Sequence, residues 1–519
     1  MPEELTIKVD PEFIDDREHL NTLIRQALPA SIRGVDGFRI VKRSIDARSR
    51  NPAYILKIAL ASPDESDSGR DMHVSRFRPV SANKTVLIVG AGPAGYFAAL
   101  KLIEHGLKPV ILERGADVVA RRKAIAGIHR HGIVSPDSNY CFGEGGAGAY
   151  SDGKLYTRST KRGDTADVIR LLVAHGARED LLVDAHPHIG SNRLPRIIRE
   201  IRNTILSCGG EIHFQTRVDD FIPGDGRIRG VRVDGGGEYQ GEAVILACGH
   251  SARDLFAVFP KNKWLIEPKP FAAGLRVEHP QALIDQIRYH QRPRHPNLPP
   301  ASYRIAAQIE DRGVYSFCMC PGGVIIPAAT APGEMVINGM SFSDRGGPHA
   351  NAGIVVEIRL EDLLPGGFTG PFMALDFQKK LEQAAFQAGG GDQNAPAQRL
   401  TDFVEGRFSD TLPVSSYRPG IRSAPLHNLL PPDMSRRLRQ AFIVFGKKMK
   451  GYYTREAIVV GVESRTSSPV RIPRDVHSLA HPQVANLYPC GEGAGHAGGI
   501  VSAAMDGQQA ARRIAAVLA

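Results

Sequence analysis

The chain has 519 residues and a net charge of +10, so it exceeds what one hydrophobic core usually serves, and two or three domains are expected. Its Lys and Arg are scattered without a sustained basic run, which favours a solvated surface over a nucleic-acid partner, and no apolar stretch has the length of a membrane span. Six cysteines are too few for a disulfide scaffold, and residues 1–4 carry neither a basic start nor an apolar run, so reduced thiols in the cytoplasm are expected.

Residues 1–80 read as a small α+β unit. Strands are expected over Leu5–Val9, Phe38–Arg43 and Tyr54–Ala59, with a helix over Arg17–Ala27 and a charged, serine-rich link at Ser62–Arg70. The basic edge Lys42, Arg43, Arg48 and Arg50 can meet RNA, a partner or the rest of the chain; solvated charge is the simpler account.

Val86–Val89 then forms an apolar strand that breaks into Gly90, Gly92 and Gly95 and continues as a helix. Gly90 permits the tight turn, Gly92 lets main chain approach a pyrophosphate, and Gly95 lets helix and strand pack closely, while the helix N-terminus supplies free N–H groups. Val110–Leu112 carries Glu113 to the end of the next strand, where a carboxylate accepts from ribose hydroxyls. This is a dinucleotide site. Further on, the loop at 143–155 carries glycines at Gly143, Gly145, Gly146, Gly148 and Gly153, and Ser151, Asp152 and Lys154 add a hydroxyl, an acceptor and a cation.

Glu211–Val218, Phe221-Ile222, Ile228–Val233 and Tyr239-Gln240 alternate like a strand followed by a small meander, and Ala243–Cys248 follows as a buried strand ending at Gly249. Long strand-like runs over 260–480, with loops at Gln291–Pro300 and Gly389–Pro396, suggest an antiparallel-sheet domain that covers the cofactor and receives the substrate. Cys318 and Cys320 invite a redox reading, but positions i and i+2 of a regular strand are poorly spaced for bridging, so buried structural thiols are favoured. Arg465 either clamps an anionic substrate or pairs internally with Glu463. The histidines have no zinc-like spacing, and no metal is expected. His250 and His496 both follow glycine turns and are candidates for proton transfer or for hydrogen bonding to a cofactor. Leu487–Pro489 enters a last glycine-rich turn, and Val501–Leu518 continues as a helix.

The blocks Phe142–Leu155, Pro187–Gly190, Gly249–Asp254, Ser316–Gly323, Asn338–Ser341 and Glu463–Pro469 resemble those of the bacterial FAD-dependent dehydrogenase family (NAD(FAD)-utilising dehydrogenases), within the two-domain flavoproteins of the glutathione-reductase type. The resemblance spans nearly the whole chain and implies FAD. The implied fold is α/β: a Rossmann-like FAD-binding domain at 83–259 and 481–519, an interposed antiparallel-sheet substrate domain at 260–480, and the N-terminal α+β unit at 1–80. Expected cofactor contacts are Gly90, Gly92, Pro93, Ala94, Gly95, Glu113, Arg114, Gly145, Gly146, Ser151, Asp152, Gly153, Val218, Gly249, Gly491, Glu492, Gly498, Gly499 and Ile500, with Glu492 at the ribityl chain and the last helix N-terminus at the pyrimidine edge of the flavin. Candidate catalytic residues are Lys154, His250 and Arg465.

Enzymes of the glutathione-reductase type place their dithiol after the first FAD motif, with longer spacing, and carry a second dinucleotide turn. No second GxGxxG follows a strand in this chain, so it oxidises a small organic substrate directly, meets NAD(P)H only transiently, or takes electrons from a partner. A flavin-dependent RNA-modifying or RNA-binding protein and a non-catalytic redox sensor are the competing readings.

Overall fold

The computed structural model describes residues 4–28, 38–60, 75–81, 84–156 and 163–519; the link expected at Ser62–Arg70 lies outside them. A five-stranded parallel sheet is ordered Leu487–Pro489, Ala243–Leu246, Thr85–Val89, Lys108–Leu112, Glu211–His213. Its central strands are almost wholly buried, as near-continuous apolar runs require when helices cover both faces. The strand at 487–489 returns from the far end of the chain beside 243–246, so segments before and after residues 260–480 build one sheet. The run Glu211–Val218 does not continue as one strand: it breaks after His213, with Gln215 in the left-handed region (φ 54°), and Val218–Pro223 begins a separate meander with Ile228–Val233 and Glu238–Gln240.

The helix Pro93–Glu104 lies against the C-terminal helix Ile500–Leu518. A Cβ at Gly507 would stand 2.0 Å from the Ala94 carbonyl oxygen, and one at Gly95 would stand 2.0 Å from the Gly90 carbonyl oxygen. Both glycines therefore serve close main-chain packing.

The second large sheet has seven strands, ordered Ala306–Ile309, Arg312–Cys320, His349–Ile358, Phe271–Pro280, Ile458–Glu463, Ala395–Arg399, Ile421–Ser423, antiparallel but for the last pair. This is the interposed antiparallel domain, and the whole is a Rossmann-like fold joined to an antiparallel substrate domain. Gly389 proves to be the last residue of the helix Met373–Gly389, and the strand Ala395–Arg399 begins at the far side of that loop. The N-terminal sheet, ordered 4–9, 53–60, 38–46, shares one apolar core with the seven-stranded sheet through Val9, Leu56 and Ile58. Arg43 is not a solvated charge. Its guanidinium binds Asp184 at 2.7 Å, and its main chain bonds to Val183 and Ala185. No helix among the described residues is long and apolar enough to cross a membrane.

Candidate active site

Four glycine-bearing turns, at 90–92, 143–148, 249 and 491–499, line a cavity of about 280 Å³, and all but the second follow strands of the parallel sheet. Gly90 has a φ of 107°, and a Cβ there would meet the Ala247 carbonyl oxygen at 2.5 Å. Gly92 caps the first helix and faces only the Cα of Gly146, at 3.9 Å from its Cβ position. The Gly145 amide bonds to the Ala91 carbonyl at 2.9 Å, tying the second turn to the first.

Glu113 knots three segments together. Its carboxylate accepts from the amides of Ala91 at 2.8 Å and of Gly115 and Gly143 at 2.9 Å each. Its edge still lines the cavity. Beneath the second turn, the fully buried Arg121 donates to the carbonyls of Asn139, Gly143, Glu144 and Gly146, so a side chain does for this irregular loop what a ladder does for a strand.

Among the residues expected at a cofactor, Gly90, Gly92, Pro93, Ala94, Glu113, Gly146, Ser151, Asp152, Gly153, Gly249, Gly491, Glu492, Gly498, Gly499 and Ile500 line this cavity. Arg114 and Val218 line a narrow side pocket with Val89, Leu112, Arg217 and Leu255, where Arg114 stacks on Phe142 and pairs with Asp137 and Asp254. Gly95 and Gly145 lie behind the wall: Gly95 packs on Gly90, and a Cβ on Gly145 would strike Ile198 at 2.4 Å. The Ser151 hydroxyl is spent within its own loop, donating to the Gly148 carbonyl and accepting from the Gly153 amide.

The candidate catalytic residues fare differently. Lys154 is bonded to the Met319 carbonyl and stands 3.5 Å from Asp152 and 3.6 Å from the Cys318 sulfur. His250 lines the cavity and shares a 2.8 Å hydrogen bond with the Ser251 hydroxyl; burial and the Arg465 charge push its imidazole down to about 4, so it is neutral at pH 7. Arg465 does not pair with Glu463. Its fork is filled by Glu382 at 3.0 and 2.9 Å, and its remaining donors meet Ser251, Thr330 and Glu334. Glu463 pairs with the wholly buried Arg276 at 2.8 Å. His496 lies outside the cavity wall and bonds to the Ile472 carbonyl at 3.0 Å.

Two buried ion-pair systems therefore back the cavity where sequence reasoning offered one or none. Arg253, Arg465, Glu334 and Glu382 form an electroneutral cluster that joins the helix after the third glycine turn to the antiparallel domain. Burial alone would raise Glu382, but Arg465 and Arg253 hold it down to about 2. Arg276 binds Glu463, Asn351, Asn338 and the Cys318 carbonyl. A lone arginine in the apolar run Phe271–Val277 was the available signal for it; the helical Glu382 offered none.

These residues fit a dinucleotide cofactor on the structure's own terms. Asp152, 1% exposed and drawn down to about 2 by Lys154 and Arg345 against its burial, has one carboxylate oxygen, Oδ1, without a protein partner. Ideal Cβ positions on Gly498, which lines the wall, and on Gly249 meet nothing within 4 Å, and at the head of the last helix Gly499 sits at φ 140° with only the Ser502 hydroxyl oxygen near, at 3.9 Å. Main chain and a helix N-terminus thus border open space, as an anionic ligand requires. Partly buried Glu492, facing Lys269, is raised by burial to about 7.

Residues 84–258 match the family described as pyridine nucleotide-disulphide oxidoreductase, residues 270–466 that described as FAD-dependent protein, C-terminal domain-like, and residues 1–61 a domain of unknown function, DUF8436. A Clostridium beijerinckii protein described as an uncharacterized protein is 38% identical over 518 residues, covering 96% of each chain. Among solved structures, a salicylate hydroxylase substrate complex matches at 12% identity over 85% of this chain and 79% of that one, with a TM-score of 0.36. A geranylgeranyl bacteriochlorophyll reductase-like protein from Thermoplasma acidophilum matches at 13% over 84% and 79%, with a TM-score of 0.34; scores this low carry no argument. On its sequence relative and its two consecutive domain matches, the chain belongs to the family of the Clostridium protein, within the FAD-binding oxidoreductase superfamily related to glutathione-reductase-type flavoproteins.

Proposed function

We propose that this protein binds FAD in the cavity between its glycine turns and transfers a hydride between flavin N5 and a small organic substrate held by residues 260–480. The observation that carries the reading is the single cavity wall in which the glycine turns, the Glu113 carboxylate and the head of the last helix meet residues of the antiparallel domain, Phe317, Asn338, Gly339 and Thr466. When bound, FAD supplies two-electron chemistry that the amino acids lack. The chain supplies the rest. Glu113 and the 90–92 turn hold the nucleotide end, Arg114 and Val218 border the pocket for a base, and Asp152 presents an acceptor beside Lys154. The helix N-terminus at Gly499-Ile500 favours negative charge developing near it.

His250, neutral at working pH, is placed to accept a proton from a substrate hydroxyl or amine, and Arg465, locked on Glu382, positions Ser251 and with it the imidazole. Lys154 stabilises anionic character at the rim of the cavity. NAD(P)H or a redox protein is the electron partner where the substrate is not itself the donor. The test is the visible spectrum of the purified protein, followed under anaerobic conditions with NADH, NADPH and then a cell-metabolite extract. Bleaching of a bound flavin by one of these is expected. Protein that carries no FAD and takes up none on reconstitution would overturn the proposal.

A further inference from the structure

Cys318 and Cys320 lie in neither of the glycine turns nor in residues 84–258, and the functional reading above does not use them. They sit on the strand Arg312–Cys320, whose pairing with His349–Ile358 slips between Ser316 and Met319: Ser316 faces Ile354 and Met319 faces Ala352, so Phe317 and Cys318 together oppose Gly353 alone. Such a bulge re-aims side chains and undoes the regular i, i+2 spacing that argued against bridging. The outcome is an asymmetric pair. Cys320 is wholly buried, Cys318 is partly open and lines the cofactor cavity, and the two sulfurs are 3.8 Å apart. Lys154 reaches Cys318 from the opposite wall at 3.6 Å, and Arg276 grips the Cys318 carbonyl at 3.1 Å.

We propose that Cys318 and Cys320 are a redox-active dithiol, a second two-electron centre that closes to a disulfide as it reduces the flavin and is reopened by a small thiol. The hydrogen bond from Cys320, with Lys154 and Arg276 beside it and against the pull of burial, lowers Cys318, while the same hydrogen bond and burial raise Cys320. One sulfur is thus the reactive thiolate facing the cavity and the other the protected thiol behind it. In the oxidising step the Cys320 S–H bond breaks and the S–S bond forms; two electrons and that one proton pass to oxidised flavin. Two molecules of a small thiol then open the S–S bond by exchange and leave joined as their disulfide, restoring the dithiol. The inference rests on the proposed flavin for its electron acceptor only.

The test uses the full-length protein. After incubation with oxidised glutathione, the peptide holding both cysteines is expected to be about 2 Da lighter and to resist iodoacetamide until dithiothreitol is added. That measurement needs no flavin, so a chain that fails to hold FAD defeats the hydride-transfer proposal and the flavin as acceptor, while the dithiol's own oxidation is still read. In the flavin-loaded, oxidised protein, anaerobic titration with dithionite is expected to consume about four electrons per flavin, and about two in Cys320→Ala. Lys154→Met, at a partly exposed position, is expected to slow Cys318 alkylation at pH 7 by about tenfold. Alkylation of both thiols after oxidised glutathione would overturn the proposal, as would uptake of only two electrons by the wild-type protein or an unchanged alkylation rate in Lys154→Met.

Discussion

On the parallel-sheet side the cavity is bordered by main chain. Glycine turns, free amides and one helix end form the wall, and the single carboxylate that joins them, Glu113, spends its hydrogen bonds on the Ala91, Gly115 and Gly143 amides. On the seven-stranded side the wall is backed by charged side chains sealed from water, Arg276 with Glu463 and Arg465 with Glu382. A main-chain wall takes any ligand with phosphates and ribose, and it tolerates little change because the contacts are atomically close. A side-chain wall can be retuned residue by residue.

The sharpest way to break this contrast is at two glycines. Gly95→Ala would put a Cβ within 2.0 Å of the Gly90 carbonyl oxygen, whereas Gly498→Ala would meet nothing within 4 Å. Gly95→Ala is expected to lose about 4 kcal/mol of stability and retain no flavin, measured by thermal melts and absorbance. Gly498→Ala should melt with the wild type and lose flavin affinity alone. Equal losses of stability in the two variants would refute the distinction between packing and binding glycines.

On the side-chain wall, Arg276→Met leaves Glu463 charged and unpaired in a fully buried site, and about 3 kcal/mol of destabilisation is expected. The double variant Arg276→Met with Glu463→Leu should recover most of it, since removing both charges removes the uncompensated one. Denaturant midpoints that fall further in the double variant would show the pair to be stabilising in itself.

Glu492 stands where the walls meet. Its carboxyl is raised from 4.5 to about 7, chiefly by burial, so the folded state binds its proton more tightly than the unfolded one. The associated stability is present in full below about pH 4.5 and is lost as the pH rises through 7. The melting temperature of the wild type should therefore fall relative to Glu492→Gln between pH 5 and pH 8, by the equivalent of about 2 kcal/mol. A constant difference across that range would mean that Glu492 does not titrate there.

The smallest expected effect concerns the N-terminal unit. Arg43→Ala removes a part-buried pair with Asp184 but leaves the main-chain bonds to Val183 and Ala185, and about 1 kcal/mol is expected, read from the denaturant midpoint. Loss of flavin in that variant would instead make the N-terminal unit part of the site.

Legibility followed the same division. The strand, the GxGxxG turn, Glu113 and the strand at Leu487 were readable because glycine at a tight approach and an apolar run before it are local requirements, met by consecutive residues, whereas the return of Leu487 to the first sheet came from the family resemblance. The N-terminal strands and helix were readable for the same reason. The partner of Arg465 was not. Glu463 is the nearest acid in sequence, yet adjacent alternate positions on the strand and its exit send the two side chains to different neighbours, Arg276 and Glu382, from distant segments. The break after His213 and the bulge at Phe317-Cys318 were equally hidden, because each arises from how a strand must fit its neighbour.

By itself, then, the amino-acid order determined where main chain turns and where it can approach a ligand, and hence where a dinucleotide is expected, since those depend on φ, side-chain size and local periodicity. Which buried charges pair, which histidine faces the cavity and how near two sulfurs lie were decided only by the tertiary structure. Those depend on the meeting of residues as far apart as 154 and 318, or 276 and 463, and burial then forces every such charge to find its partner across the fold.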